Sequence, residues 1–419
     1  MTAALPRITV VLPTRERGDV LEKALATVTA QDYDALEIVV SDNCSTDRTR
    51  EVVAAARDPR IRYVNTGRRV SMTGNYEFAL SHARPGWVTI LGDDDGLMPG
   101  ALHRVAQLAA ETSVHAIRSR VGKYLWPSVT GTAWGRLTVP LERGHEVRAC
   151  RPWLERVLTG AEGYAELPIL YNGGFVTTEL VERMKAGTPV LYRSPLPDVY
   201  SAVAICSLVD RFVFSHDPFV ISGTSKHSTG AAIFARAGQA GANSPAQVFQ
   251  REESVAFHPA VPREPNGGYP VSVQALIYES YLQTGFLRHE QPGARHAEQL
   301  AVALAAGGKN HDIVEAWAQR FAAAHGLDFA RGRAAAARIQ RLRRVQRIPA
   351  QLRRVLGNYD LGSPELPLRD VFEATIAAAA VRAAIPGPLT RLSRAATRFV
   401  DKRRARSQAS GAAGRSAPQ

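Results

Sequence analysis

Cysteine and long apolar segments are scarce in this chain of 419 residues. The three cysteines, Cys44, Cys150 and Cys206, form no CxxC pair and no Cys/His cluster. Their scarcity argues against a disulfide framework and a structural zinc site, and it favours a reducing cytoplasm. No apolar run reaches the ~18–20 residues of a membrane span, and the nearest, 374–385, is interrupted by Arg382. The first residues lack the pattern of a signal peptide, so we expect them to lead into a core strand.

Acidic and aromatic residues are scarce in the C-terminal part of the chain. Residues 331–419 carry 19 Lys and Arg against 5 Asp and Glu, which accounts for the whole net charge of +13. Segment 331–358 repeats apolar residues every three or four positions between arginines, which predicts a basic amphipathic helix, bent at Pro349. Three roles stay open for it: contact with an anionic membrane, packing against the protein or a second subunit, and nucleic-acid binding. The lack of aromatics and of a reader motif disfavours nucleic acid.

The first hundred residues alternate between two apolar patterns. Short continuous apolar runs predict strands at 7–14, 36–42, 61–65 and 87–91. Apolar residues at helical spacing predict helices at 19–31, 45–57 and 73–83. Continuous apolar strands that alternate with helices indicate a parallel sheet covered on both faces. Ligands bind such sheets beyond the carboxyl ends of the strands.

Polar and charged residues follow these strand ends. Asp93, Asp94 and Asp95 come directly after the strand at 87–91. Like charges resist burial, so we expect a cation to meet them. The other three ends carry Pro13, Thr14, Arg15 and Glu16; Ser41, Asp42 and Asn43; and Arg68 and Arg69. Carboxylates and cations at one sheet edge suit a nucleotide diphosphate with Mg²⁺ or Mn²⁺.

Four segments together resemble the successive motifs of family-two glycosyltransferases, the inverting enzymes of GT-A fold: VVLPTRER, EIVVSDNCSTDRT, GNYEFAL and WVTILGDDDGLMPGAL. The resemblance covers residues 7–105 in good register and extends more loosely to about 230. It implies an α/β fold of GT-A type, with a mostly parallel sheet, helices on both faces and a helical C-terminal region. It also implies sugar transfer from a nucleotide-diphosphate donor, a UDP-sugar above all, to an acceptor hydroxyl, in the synthesis of a polysaccharide or cell-envelope glycoconjugate.

Two other functions stay open beside this one. A nucleotidyltransferase on a similar sheet would need a glycine-rich phosphate loop after the first strand, and VVLPTRERGD has one glycine. A non-catalytic nucleotide-sugar-binding scaffold would tolerate loss of the aspartates, all of which are present.

The resemblance also assigns site residues. In the family, the Pro-Thr after the first strand and the acid of the second hold the nucleoside, here Pro13, Thr14 and Asp42. Gly92 stands where the family often has an acid, so it stays open which two of Asp93, Asp94 and Asp95 engage ribose and metal. The nucleotide site is expected to comprise Pro13, Thr14, Arg15, Glu16, Asp42, Asn43, Arg68, Asn75, Asp93 and Asp94. Some GT-A enzymes place a late histidine on the metal, so the predicted ligands of Mn²⁺ or Mg²⁺ are Asp95, Asp94 and His227.

An inverting transfer needs a base that takes the proton of the acceptor hydroxyl. The family carries an acid for this about a hundred residues beyond the metal motif, and Asp198 in SPLPDVYSAVAI fits that place. Asp198 is also a natural helix N-cap, a compatible role. Glu166 and Asp210 are reserve candidates. Tyr171, Asn172, Gly173 and Gly174 resemble the acceptor-side loop, although a β-bulge would explain the glycines equally well.

We therefore predict a glycosyltransferase domain at 1–230, with a nucleotide-binding half at 1–112 and an acceptor half at 113–230. A helical extension follows at 231–330, then a basic amphipathic helical region at 331–405 and a disordered tail at 406–419. We expect a cytoplasmic protein with a peripheral contact to the inner membrane face through 331–358. A lipid-linked acceptor would make that contact useful.

Overall fold

The computed structural model describes residues 5–185, 187–188, 190–228, 248, 251–253, 255–284 and 292–384. The disordered tail predicted at 406–419 lies outside these residues, as does most of 229–250, where the helical extension was expected to begin. In the described part of the chain, no helix combines the length and apolar character needed to cross a membrane.

The N-terminal part alternates strands and helices as the apolar patterns predict. In chain order these elements are β1 (Ile8–Thr14), α1 (Gly18–Thr29), β2 (Leu36–Asp42), α2 (Thr49–Ala55), β3 (Ile61–Asn65), α3 (Met72–Leu80) and β4 (Trp87–Ile90). β1 pairs in parallel with β2 and β4, and β2 pairs in parallel with β3. Val10 and Leu12 of β1 belong to one apolar cluster and Val11 to another. Since successive side chains of a strand point to opposite faces, both faces of the sheet are covered.

The next part of the chain extends this sheet with both antiparallel and parallel pairs. It contains β5 (Gly96–Leu97), α4 (Ala101–Thr112), β6 (Ala116–Leu125), α5 (Pro127–Thr130), β7 (Arg136–Pro140), β8 (His145–Ala149), α6 (Cys150–Leu158), a 3₁₀ turn (Tyr164–Glu166), β9 (Gly174–Thr177), α7 (Thr178–Lys185), α8 (Pro197–Leu208) and β10 (Arg211–Thr224). β9 lies antiparallel between β4 and β6. The long strand β10 pairs with β5, β6 and β8, and its pairing with β6 is parallel. The predicted α/β architecture with helices on both faces is confirmed, as a sheet that is parallel around β1 and mixed beyond it.

Helices dominate the C-terminal part, as expected: α9 (Val273–Leu282), α10 (Pro292–Ala306), α11 (His311–Ala324), α12 (Phe329–Leu356) and α13 (Val371–Ala384). One strand, β11 (Asn358–Leu361), interrupts them and pairs antiparallel with β7. We expected helix throughout this region. Four residues are too few to show a strand period in sequence, and pairing with a distant strand decides their conformation.

The first part of the basic helix α12 packs against the protein. Ala336 is buried, Ile339 packs on an apolar cluster, and Arg343 donates to the carbonyl of Gly160 at 2.7 Å. Leu342, by contrast, is 65% exposed. Packing therefore explains this part of the apolar stripe, while Leu342 faces away from the core.

Candidate functional site

A cavity of about 590 Å³ opens where β1 and β4 end. This size is ordinary for a small-molecule site. Most of the predicted site residues line it: Pro13, Thr14, Arg15, Glu16, Asn43, Asn75, Asp93, Asp94, Asp95, Asn172, Asp198 and His227. The parallel topology brings the first group to one edge, as expected. β10 and the N-terminus of α8 supply the other side.

Asp93 is held by the last residue of β1 and by a residue of the loop that follows it. Thr14 Oγ1 donates to Asp93 Oδ2 at 2.9 Å, and Arg17 Nη1 donates to Oδ1 at 2.9 Å. Burial raises the pKa of Asp93, and Asp94 adds to this, while the charge of Arg17 works against it. Burial opposes the charge of Arg17 as well, but Asp93 and Asp94 outweigh it and raise the pKa of Arg17.

Asp94 is held by the loop after β10. Its Oδ2 accepts hydrogen bonds from Ser225 Oγ and Ser228 Oγ, both at 2.7 Å, and from the Ser225 N–H at 3.2 Å. Its carbonyl accepts from the indole N–H of Trp126 at 3.0 Å. A carboxylate with so many neutral donors on one oxygen is fixed in orientation without being neutralised.

Asp95 is the least compensated of the three. The Gly223 N–H donates to its Oδ1 at 2.6 Å, and the Tyr171 hydroxyl lies 3.4 Å from Oδ2. Burial raises its pKa well above the usual range, and the neighbouring Asp94 raises it further. Gly92 leaves room for this carboxylate, since a Cβ on Gly92 would lie 2.1 Å from Asp95 Oδ2. An acid at position 92, common in the resembled family, would not fit beside Asp95 as it stands.

Asp198 lies in the first turn of α8, directly after Pro197. Tyr164 donates its hydroxyl to Asp198 Oδ2 at 2.8 Å. Burial raises the pKa of Asp198, and the hydrogen bond from Tyr164 partly offsets this. Of the two reserves, Glu166 is paired with Arg120 and Arg148, and Asp210 is exposed. Asp198 is the one of the three acids that faces the cavity.

Several predicted residues bind neighbouring protein groups instead of facing the cavity freely. The carboxylate of Asp42 accepts from the Ser45 N–H at 3.0 Å and from the Tyr63 hydroxyl at 2.6 Å, and Asp42 does not line the cavity. Arg68 is exposed and does not line the cavity, whereas its neighbour Arg69 does.

Three of the predicted residues that line the cavity also hold neighbouring loops in place through hydrogen bonds. The side-chain amide of Asn43 donates from Nδ2 to the Val70 carbonyl and accepts from the Val70 N–H at Oδ1. Asn75 accepts from Ser41 Oγ at 2.7 Å. Glu16 accepts from the backbone of Thr46 and Asp47, both at 3.1 Å. Each of these three side chains therefore lines the cavity while part of it is hydrogen-bonded to the protein.

The acceptor-side glycines are explained by backbone packing. A Cβ on Gly174 would lie 1.5 Å from the Ile169 carbonyl, and Gly173 has a φ of +84°. Neither lines the cavity, but Asn172 does. The structure thus favours the local backbone interpretation for the two glycines and leaves Asn172 as a cavity residue.

His227 reaches the cavity, but its ring Nε2 lies 3.2 Å from Asp19 Oδ2. Among the described residues, His, Cys, Asp and Glu side chains form no group of three or more that could hold a metal. Any metal here would therefore take much of its coordination from a ligand or water. That is the usual mode for Mg²⁺, which is bound through one or two carboxylates plus substrate phosphates.

Sequence reasoning missed Arg17, Tyr76 and Tyr164, whereas Tyr171 was expected at the acceptor-side loop. Tyr76 and Tyr171 line the cavity as stacked rings with centroids 6.2 Å apart, and Tyr164 lines it beside Asp198. Arg17 stands in the segment TRER and could have been found there. Tyr76 stands in the segment GNYEFAL, whereas Tyr164 comes from a segment without a recognisable motif, so only the fold brings it beside Asp198.

Comparison with known proteins assigns the N-terminal part. Residues 9–136 match the model of glycosyl transferase family 2. A GalNAc(5)-diNAcBac-PP-undecaprenol beta-1,3-glucosyltransferase of Campylobacter jejuni is 40% identical over 114 residues, which cover 26% of this chain and 37% of that protein. The succinoglycan biosynthesis protein ExoO of Rhizobium meliloti is 32% identical over 105 residues, covering 25% of this chain and 30% of that protein. The chain thus spans about a third of the length of these relatives.

A crystal structure of S. aureus TarS 1-349 in complex with UDP-GlcNAc is 14% identical to this chain, with a TM-score of 0.48. The match covers 80% of this chain and 92% of that one. The similarity rests on the family model, which covers residues 9–136, and on the sequence relatives. Segment 9–136 of this chain is therefore similar to glycosyl transferase family 2.

Proposed function

We propose that this protein transfers a sugar from a nucleotide-diphosphate donor to an acceptor hydroxyl, with inversion at the anomeric carbon. One observation carries the proposal. The buried acids Asp93, Asp94 and Asp95 and the isolated acid Asp198 line the same cavity. The site therefore offers a cluster for a metal-bound diphosphate and a separate carboxylate for the acceptor.

The donor side of the cavity suits a magnesium- or manganese-bound diphosphate. Burial raises the pKa of both Asp93 and Asp95, so their ionised forms lack sufficient positive charge nearby. A divalent cation at Asp95 would supply it, with Asp94 oriented alongside by Ser225 and Ser228. When bound, the metal would neutralise the diphosphate and make it a better leaving group. Thr14 and Asn43 lie at the same edge for the nucleoside.

Asp198 is the proposed general base. It accepts a hydrogen bond from Tyr164, which holds the carboxylate at the cavity, where an acceptor hydroxyl would reach it. Burial raises the pKa of Asp198 and so makes it a stronger base than an exposed aspartate. The proton of the hydroxyl would pass to Asp198 as the oxygen attacks the anomeric carbon, and the nucleotide would leave on the opposite side.

The acceptor is proposed to be a glycan of the cell envelope, with UDP as the nucleotide of the donor. The relatives' names support the proposed acceptor, since one acts on a PP-undecaprenol-linked glycan and another serves succinoglycan biosynthesis. A lipid-linked acceptor would place the protein at a membrane surface. Exposed Leu342 among the arginines of α12 is consistent with a peripheral contact there.

The test is a thermal-shift panel of nucleotide diphosphates and nucleotide sugars with Mn²⁺, Mg²⁺ or EDTA, repeated on Asp95→Ala. A ligand that binds the folded state raises the melting temperature by mass action. We expect one nucleotide to stabilise the protein in the presence of metal and to fail with Asp95→Ala. Sugar release from that donor, followed by chromatography, should then require Asp198.

The two alternatives give different results in the same assays. A non-catalytic scaffold would bind the nucleotide sugar but release neither sugar nor nucleoside diphosphate from it. A nucleotidyltransferase would take a nucleoside triphosphate and a sugar phosphate and release pyrophosphate. A well-folded sample that responds to no nucleotide with any metal would contradict the transferase.

A further inference from the structure

Two arginines at the mouth of the cavity are bound to one internal carboxylate. Arg15 follows β1, and Arg69 lies between β3 and α3. Arg15 Nη1 donates to Glu252 Oε2, and Arg69 Nε lies 3.6 Å from Glu252 Oε1. Each oxygen of Glu252 therefore faces a different arginine. All three residues line the cavity that the acidic cluster occupies.

This arrangement matches the way in which arginines bind a phosphate group. Guanidinium donors recognise carboxylate and phosphate oxygens with the same planar geometry. Two arginines from separate loops that converge on one anion form a subsite for an anion, and Glu252 fills it from within the chain. The partners are distant in sequence, since 237 positions separate Arg15 from Glu252.

The neighbouring residue fixes Glu252 in this place. Thr73 Oγ1, at the start of α3, donates to both carboxylate oxygens of Glu253, at 2.8 and 2.9 Å. Glu253 also accepts from the Val255 N–H at 3.1 Å. The two neighbouring glutamates therefore have different partners: Glu253 binds the start of α3, and Glu252 binds the two arginines.

We propose that Glu252 occupies a phosphate subsite formed by Arg15 and Arg69, and that it lowers the affinity of the protein for the diphosphate of its donor. The proposal rests on the proposed function for the identity of the ligand, a nucleoside diphosphate, but its core is the competition between one carboxylate and a phosphate. Glu252 offsets part of the positive charge that Arg15 and Arg69 would present to the diphosphate. Binding must therefore break the contacts of Glu252 before Arg15 and Arg69 can reach the ligand.

The test uses the full chain and titrates UDP and inorganic pyrophosphate, each with Mg²⁺, by calorimetry. Glu252→Gln removes the competing charge, and we expect it to bind both ligands about three- to tenfold more tightly than the unchanged protein. Glu253→Gln is the matched control, adjacent in sequence but directed at Thr73, and should change affinity by less than about twofold. Glu252→Ala repeats the test with a different side chain, and circular dichroism checks that every variant folds.

A double variant identifies the route of the effect. If Glu252 competes through the arginines, Arg15→Gln should weaken binding, and adding Glu252→Gln to it should recover little. Tighter binding should also fade as salt is raised, because screening weakens charge interactions at a solvent-accessible mouth.

Equal or weaker binding by both Glu252 variants would overturn the proposal, and weaker binding would show instead that Glu252 positions Arg15 for the ligand. Failure of the proposed function is a separate result: UDP would not bind, while pyrophosphate would still bind more tightly to Glu252→Gln. If neither anion binds any folded variant, the anion subsite and the transferase are both contradicted.

Discussion

The two walls of the cavity differ in what they contribute. The near wall, residues 13–17 and 92–95, carries most of the charge, with Arg15, Arg17 and the three aspartates. The far wall, residues 164–172 and 196–228, carries mainly neutral donors that hold those charges, such as the Gly223 N–H and the hydroxyls of Ser225 and Ser228. Asp198 is the acid that the far wall adds. The chemistry thus depends on charges from one part of the chain and on their orientation by another.

This division predicts opposite effects on stability and activity at Asp95. Asp95→Asn removes a buried charge that Asp94 repels, so the ligand-free variant should melt roughly 2–4 °C higher than the unchanged protein. Sugar transfer should fall on the order of a thousandfold, since the proposed metal ligand is lost. Differential scanning calorimetry and a transfer assay measure the two effects.

The pH dependence gives an independent check on Asp95. Its pKa is raised in the folded state, so the folded state holds this proton more tightly and gains stability at acidic pH, which is lost as the pH rises through the folded pKa. In Asp95→Asn this contribution should vanish. A variant that is less stable than the unchanged protein at neutral pH would show that Asp95 is already well compensated and would weaken the case for a missing cation.

The next largest effect should come from the acid of the far wall. Asp198→Asn should lower transfer by about 10²–10⁴-fold, the range for loss of a general base, while the dissociation constant of the donor stays within about twofold. Burial raises the pKa of Asp198, so the acidic limb of the kcat/KM profile should lie above the usual range of an aspartate.

Tyr164→Phe sharpens this test. The Tyr164 hydroxyl lowers the pKa of Asp198, so its removal should shift the acidic limb to higher pH while much of the activity remains at alkaline pH. Full activity in Asp198→Asn, or an acidic limb that does not shift in Tyr164→Phe, would show that another residue is the general base.

The two walls also differ in how well they could be predicted from the sequence. The near wall lies at the ends of β1 and β4, two strands with clear local patterns, so the order β1 to β4 and the aspartate cluster after β4 could be predicted. The far wall depends on pairing over long separations, as in β10, which carries Gly223 to Asp95. No local pattern reports such pairing, and Ser225, Ser228 and Glu252 were missed. Asp198 was found through its motif resemblance, because a helix start is a local feature.

An intermediate effect is expected at the near-wall glycine that accommodates Asp95. In Gly92→Ala the new Cβ would lie 2.1 Å from Asp95 Oδ2 and 2.7 Å from the Tyr171 hydroxyl, so the carboxylate must move. A displacement of this kind should lower transfer by about ten- to a hundredfold. Gly163→Ala is the matched control, because a Cβ there would meet nothing within 4 Å and its φ of −85° suits alanine. Equal activity of the two variants would show that the position of Asp95 is not critical.

The smallest effect is expected where the far wall only orients a near-wall charge. Ser228→Ala removes one of the two hydroxyls that donate to Asp94 Oδ2, and Ser225 retains the other along with its N–H. Loss of one hydrogen bond to a charged group, partly replaced by water, should raise the dissociation constant of the metal–nucleotide about three- to tenfold.

Ser81→Ala, at the exposed end of α3, is the control. Calorimetric titration of both variants and of Ser225→Ala with Ser228→Ala combined should show a larger loss in the double variant, because the two hydroxyls share one oxygen. If the double variant binds as tightly as the control, Asp94 does not need the far wall, and the charges of the near wall suffice by themselves to hold the donor.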